Sequence, residues 1–242
     1  MNLLIAIGQA QMISLEEAES KCSAVKMCHC YSTKYGERFI KSIINKLYPP
    51  ITFNGLPYLK KFYAEICPIV RVAKNENFSH FLYLGDNFSF DGMLIDKTTN
   101  KILNVECTQA IDGQLKALAN EHSIKYGEAP VYDIPKTKNT KASGVREIYQ
   151  TDSNSYTKSD LIQKLSNLVV CSLVKKLNTE YPFKNGILII VFDNMYEHLN
   201  DLNRVFGSIF HSKINEIRKS SFNKIYFLSK GLFICSHSTQ DI

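Results

Sequence analysis

Apolar positions recur along the chain in two rhythms. Between residues 88 and 108, β-branched and aromatic residues form two short runs, 88–95 and 102–108, joined by the polar segment Asp96-Lys97-Thr98-Thr99-Asn100-Lys101. Such a pattern predicts a β-hairpin with a tight polar turn. Residues 186–192, GILIIVF, are uninterrupted apolar and predict a strand buried on both faces, as in an α/β sheet. Residues 81–84 predict a short strand before the hairpin. Runs at 224–228 and 232–235, split by Ser229-Lys230-Gly231, predict a closing hairpin.

The other rhythm is helical. In residues 31–47, Phe39, Ile40, Ile43, Ile44 and Leu47 make one apolar stripe, ended by Pro49-Pro50. In 159–177, Leu161, Leu165, Leu168, Val169 and Leu173 do the same, with Lys175 and Lys176 in the last turn, where cations suit the helix dipole. Helices are also predicted near 14–24, 114–126 and 199–218. Residues 62–72 fit either a short helix or a strand around Pro68. Residues 128–158 carry Pro, Thr, Ser, Asn and Lys with little periodicity, and a loop of that length suggests a small insertion beside a cleft. The whole reads as one α/β domain over 1–242.

Two acids interrupt the central hairpin. Asp91 precedes Gly92, and Glu106 sits between Ile-Leu-Asn-Val and Cys-Thr-Gln-Ala-Ile. Asp-Gly is ordinary turn chemistry. Glu in so apolar a setting is not, because a buried Glu needs a partner. In a hairpin, positions 91 and 106 come close on one face. Two carboxylates held together repel, and a divalent cation with oxygen ligands relieves them. Glu37, near the start of the helix at 31–47, is either a solvated first-turn acid or a third carboxylate at the cleft edge.

Composition narrows the class. The chain is 45% hydrophobic and 21% charged, as globular domains are. Net charge is +6, and 136–176 holds eight Lys and Arg against three Asp and Glu. That excess suits a polyanion. No apolar run is long enough to span a bilayer, so a membrane is not an expected partner. The seven cysteines are odd in number and several lie in apolar runs, which favours a reducing cytoplasm over a disulfide scaffold. Cys28-His29-Cys30 is too tight for common zinc spacings.

The order of elements resembles the PD-(D/E)XK nuclease superfamily, the restriction-endonuclease-like fold: a helix carrying Glu37, a meander of three strands carrying Asp91 and Glu106, helices, then the strand at 186–192. The resemblance covers about residues 31–192 and implies a central mixed β-sheet flanked by helices, with the C-terminal hairpin as decoration. It further implies a metal-dependent endonuclease, DNA favoured, of restriction or defence type. Mg2+, or Mn2+ in its place, would be held by Asp91, Glu106 and the backbone carbonyl of Cys107, with Glu37 acting through water. A homodimer is one expected assembly, since palindrome-cutting members are often dimers. The chain departs from the family pattern at two points. Phe90 stands where the family has proline, and Thr108 stands at the lysine position. Thr108 shares a strand face with Glu106, and Gln109 reaches the site only where the strand twists or ends. Lys164 on the helix at 159–177 is the candidate replacement cation. The alternative is a nuclease-fold protein that binds nucleic acid or a protein partner without cutting.

Overall fold

A computed structural model describes residues 29–34, 38, 62–84, 88–111, 157–192, 199–229 and 233–239. The expected helices at 14–24 and 114–126, most of that at 31–47 including Glu37, and nearly all of the loop at 128–158 lie outside the described residues. The chain divides into two compact units. One comprises Met1–Ala110 with Val169–Ile242, the other Ile111–Leu168. The second unit contains the whole of the expected insertion at 128–158 and extends further at both ends.

Among the described residues, seven strands, in sequence order, form one mixed sheet in the first unit: β1 (His29–Ser32), β2 (His80–Tyr83), β3 (Gly92–Asp96), β4 (Lys101–Ala110), β5 (Gly186–Phe192), β6 (Phe222–Ser229) and β7 (Phe233–Ser238). β1 to β4 run antiparallel, β4 to β6 parallel, and β6 and β7 antiparallel. Parallel neighbours need long crossovers. Helix α2 (Lys158–Leu177) lies in the connection from β4 to β5. Helices α3 (Leu199–Ser212) and α4 (Ile214–Lys219) make the connection from β5 to β6. The α/β class and the mixed sheet therefore match the expectation from sequence, and all seven residues of β5 are buried.

Three boundaries differ from it. Tyr31 belongs to β1, so helical backbone begins only at Thr33; pairing with β2 overrides the local helical pattern. The single helix expected at 199–218 is broken at Lys213, whose ψ of 10° leaves the helical range. The C-terminal hairpin is longer than its apolar runs and is an integral part of the sheet, because β6 pairs with β5 along its length.

Helix α1 (Cys67–Asn75) follows one π-helical turn, Phe62–Ile66. Pro68 falls in its first turn, where no amide hydrogen is required. Asn77 ends it with a left-handed φ of 57°. The Phe78 amide then donates to the Ala73 carbonyl at 2.8 Å and the Asn77 amide to Lys74 at 3.1 Å, a Schellman close. Helix α2 starts with a reciprocal cap between Thr157 and Asp160.

The core has two faces. Ile66, Cys67, Ile69 and Val70 pack with Phe81, Leu94, Val105, Cys107, Ile187 and Ile189 on one. Alternation turns Leu188, Ile190 and Phe192 to the other, where Phe206 of α3 stacks on Phe227 at 4.7 Å and meets Phe192 at 5.1 Å. Behind α1, Glu76 accepts from Lys224 at 2.8 Å and from the buried Tyr226 hydroxyl, tying the helix to β6. Among the described residues no helix is long and apolar enough to cross a membrane.

Gly92 opens β3 because nothing larger fits. A Cβ there would lie 2.6 Å from the Leu82 carbonyl oxygen and 3.1 Å from Ile69 Cδ1. Gly92→Ala should therefore destabilise the chain by about 1–3 kcal/mol and shift the adjacent Asp91. A lowered urea midpoint with unchanged slope is the expected reading.

Candidate functional site

β3 pairs with β4 as far as Gly92↔Val105; Asp91 immediately precedes β3, and Glu106 follows Val105 on β4. Beyond Gly92↔Val105 the regular β3–β4 ladder stops, and Asp91 lies in a bend. The Asp91 amide donates to the Val105 carbonyl at 3.1 Å, and the Leu84 amide donates to the Asp91 carbonyl at 2.9 Å. Gly92 and Val105 face α1, so alternation sends Glu106 to the opposite face, while Asp91 stands in the bend before β3, close enough for the Glu106 charge to act on it. The Cys107 amide has no β3 residue to pair with, and it donates instead to Asp91 Oδ2 at 2.6 Å. One carboxylate thus closes the end of the ladder. Since Val105 and Cys107 point their backbone groups to the same edge, the Cys107 carbonyl faces that end as well.

Glu106 is buried and ion-paired. Lys176, in the last turn of α2, donates to its Oε1, and the two side chains are 22% and 6% exposed respectively. Two tyrosines and a third acid complete the group. The Tyr181 hydroxyl is buried, and burial together with the neighbouring Glu106 carboxylate raises it above the ordinary phenol value. Glu65, in the π-helical turn before α1, accepts from the Tyr83 hydroxyl at 2.5 Å, and its carbonyl meets Cys107 Sγ at 3.8 Å. Glu65 acts electrostatically on both Asp91 and Glu106. Isolated π-helical turns recur at functional sites.

No family model, curated protein or solved structure matches this chain. The site therefore stands on its own chemistry.

That chemistry is an excess of crowded negative charge. Burial raises the Asp91 carboxyl, and the Glu106 and Glu65 charges raise it further, to about 7; the Cys107 amide and Lys176 pull only partly the other way. Burial likewise raises Glu106 despite Lys176. Burial, with the same acids, pushes the Cys107 thiol well above its ordinary value, while its amide is the group bonded to the Asp91 carboxylate. Among the described residues no three His, Cys, Asp or Glu side chains close a metal cage by themselves. The available donors are two neighbouring carboxylates and a strand carbonyl.

The remaining candidates are dispersed. Thr108 is half-buried on the Glu106 face of β4. Gln109 is not at a strand end, because β4 continues to Ala110; alternation turns its side chain to the Cys107 face, and its carbonyl accepts from Ser172 at 3.2 Å. This placement takes Gln109 out of the candidate set. Lys164 is half-buried on the part of α2 that belongs to the second unit. The lysine that reaches Glu106 is Lys176, twelve positions later on the same helix. Glu37 lies outside the described residues, and the acid beside the pair is Glu65.

Glu65 carried a readable signal. It is the only charged residue in FYAEICPIV, the same anomaly that exposes Glu106. Lys176 carried none, since a lysine in a last helical turn is explained by the helix itself.

The raised acids give stability a definite pH dependence. Asp91 binds its proton more tightly folded, at about 7, than at its ordinary 3.8. Between about pH 4 and 7 the native state therefore holds protons that the unfolded chain releases, so stability falls as pH rises. The full effect is at most about 4 kcal/mol. Metal-free protein should show a lower thermal midpoint at pH 8 than at pH 5.5. Asp91→Asn should flatten that slope.

Proposed function

We propose that this chain is a metal-dependent endonuclease acting on nucleic acid, with DNA favoured, built on the PD-(D/E)XK plan and serving a restriction or defence role. The observation that carries the reading is the placement of Asp91, immediately before β3, beside Glu106 of β4, with the Cys107 amide bonded to the Asp91 carboxylate. The succession of α1, the meander β2–β3–β4, α2 and the parallel β5 supports it, since the resemblance implies that order. In this arrangement α1 and Glu65 take the part that the sequence pattern gave to the helix at 31–47 and Glu37.

The donors fit a hard divalent cation. Mg2+ retains several waters and is commonly bound by one or two carboxylates, so a closed cage of side chains is not required. Asp91, Glu106 and the Cys107 carbonyl would hold it. Such an ion polarises a phosphate oxygen and lowers the pKa of bound water. The chain's own groups do the rest. Asp91 and Glu106 fix two ligand positions on a rigid sheet. Glu65, anchored by Tyr83, orients water at the rim. Lys176 supplies the positive charge that the family places at residue 108, and the Thr108 hydroxyl is left to hydrogen-bond water.

The test is incubation with a mixed panel of labelled DNA and RNA, single- and double-stranded, with Mg2+, with Mn2+ and with EDTA. Divalent-dependent cleavage of DNA is expected, with binding that weakens steeply as salt rises. Threonine at residue 108 favours the second reading, binding without cutting, and retention of the nucleic acid without products would select it. Neither cutting nor binding would reject both.

A further inference from the structure

An aromatic ring stands in water on the approach to Asp91. Among the described residues two large hydrophobic side chains are exposed, Phe88 at 49% and Ile102 at 38%. Ile102 pairs with Ile95 toward the turn of the hairpin, at the far end from the acids. Phe88 lies in the bend that ends at Asp91. An extended chain covers at most about 3.6 Å per residue, so the Phe88 backbone stands within about 11 Å of that of Asp91.

That bend is pinned. The Leu84 amide donates to the Asp91 carbonyl at 2.9 Å, and the Asp91 amide to the Val105 carbonyl at 3.1 Å. Phe90 is buried and meets Phe183 edge-on at 5.1 Å. Phe90 therefore supplies the apolar anchor of the segment, and the fold does not use Phe88 for it. The neighbours of Phe88 in sequence are polar or glycine, Gly85-Asp86-Asn87 before it and Ser89 after it, and turn chemistry calls for no ring among them. Leaving the ring exposed forgoes the stabilisation that its burial would give.

A nucleobase offers the surface that such a ring lacks. Single strands are held by stacking their bases on aromatic side chains, whatever the sequence. The bases of an intact duplex are stacked on one another. We propose that Phe88 stacks on an unpaired base next to the bond that is cut, so that the substrate is single-stranded or locally unpaired nucleic acid. The proposal rests on the reading of Asp91 and Glu106 as a nuclease centre and adds the strandedness of its substrate.

The chain has no tryptophan, so Phe88→Trp puts a single indole at the stacking position. Full-length wild type, Phe88→Trp and Phe88→Ala are titrated with oligothymidylate and with its duplex with oligodeoxyadenylate. Ca2+ is present, since it takes oxygen ligands as Mg2+ does. Anisotropy of a dye-labelled strand reports binding, and tryptophan emission with the unlabelled strand reports stacking. The single strand should quench Phe88→Trp and bind it as tightly as wild type. Phe88→Ala should bind the single strand about 5- to 100-fold more weakly and the duplex unchanged. Single-strand binding without quenching, or with Phe88→Ala equal to wild type, would overturn the proposal and leave the nuclease reading standing. So would binding of the duplex alone, or an equal loss on both substrates. Should Phe88→Ala lose its fold, the tryptophan emission decides. Binding of neither substrate by wild type would overturn the proposal and the nuclease reading together.

Discussion

Glu106→Gln should fold and fail to cut. Glutamine fills the same volume, and its amide oxygen still accepts from Lys176, so the metal-free fold loses little. What disappears is the charge on one of the two carboxylates that would face the ion. Metal-assisted stabilisation of transition-state charge amounts to several kcal/mol, and each 1.36 kcal/mol is tenfold in rate. Cleavage should fall by about 1,000-fold or more. Single-turnover assays at saturating Mg2+, with near-ultraviolet circular dichroism as the control for folding, provide the measurement. Activity within a few-fold of wild type would remove Glu106 from the chemistry.

The second large effect is on stability. Lys176→Met keeps much of the side-chain volume and leaves Glu106 buried without its cation. Breaking a fully buried pair costs about 3–5 kcal/mol; Lys176 is 22% exposed, so about 2 kcal/mol is expected. The sign of the pH dependence follows from linkage. Glu106 is already raised by burial with Lys176 present, and without Lys176 it rises further. The penalty should be larger at higher pH, where Glu106 is ionised, and should fade as pH drops and Glu106 takes up a proton in both proteins. Urea unfolding at pH 8 and pH 5 checks this. A pH-independent loss would mean that Lys176 acts through its methylenes alone. Cutting should also decline, by about 100-fold, if Lys176 steadies the developing charge.

Much of this was legible in local pattern. The acids at 91 and 106 stood out because each breaks a β rhythm, and pairing Gly92 with Val105 makes them neighbours. The continuous run at 186–192 announced a central strand. The turn at 96–101 is built as its residues suggest. Asp96 accepts from Thr98 and Thr99, which holds its carboxyl down at about 2, and Asn100 takes the left-handed φ of 56°.

What escaped the sequence is tertiary. Lys176 finds Glu106 across 70 positions, and nothing within its own helix distinguishes it from Lys175. Tyr31 lies in a strand because His80–Tyr83 is there to pair with it, a partner invisible within a window of residues 31–47. Glu65 was readable as an acid in an apolar run, but the helix-or-strand ambiguity around Pro68 hid which way it pointed. Gly92 gave the appearance of a turn former. Its deeper role is close approach to the Leu82 backbone, which sets where Asp91 stands.

The arrangement of Asp91 and Glu106 around one cation is tested most directly by anomalous diffraction from crystals grown with Mn2+. One peak is expected about 2.0–2.3 Å from a carboxylate oxygen of Asp91, one of Glu106 and the Cys107 carbonyl, with Lys176 turned off Glu106. Crystals that hold Mn2+ elsewhere, or none, with Lys176 still on Glu106, would contradict it.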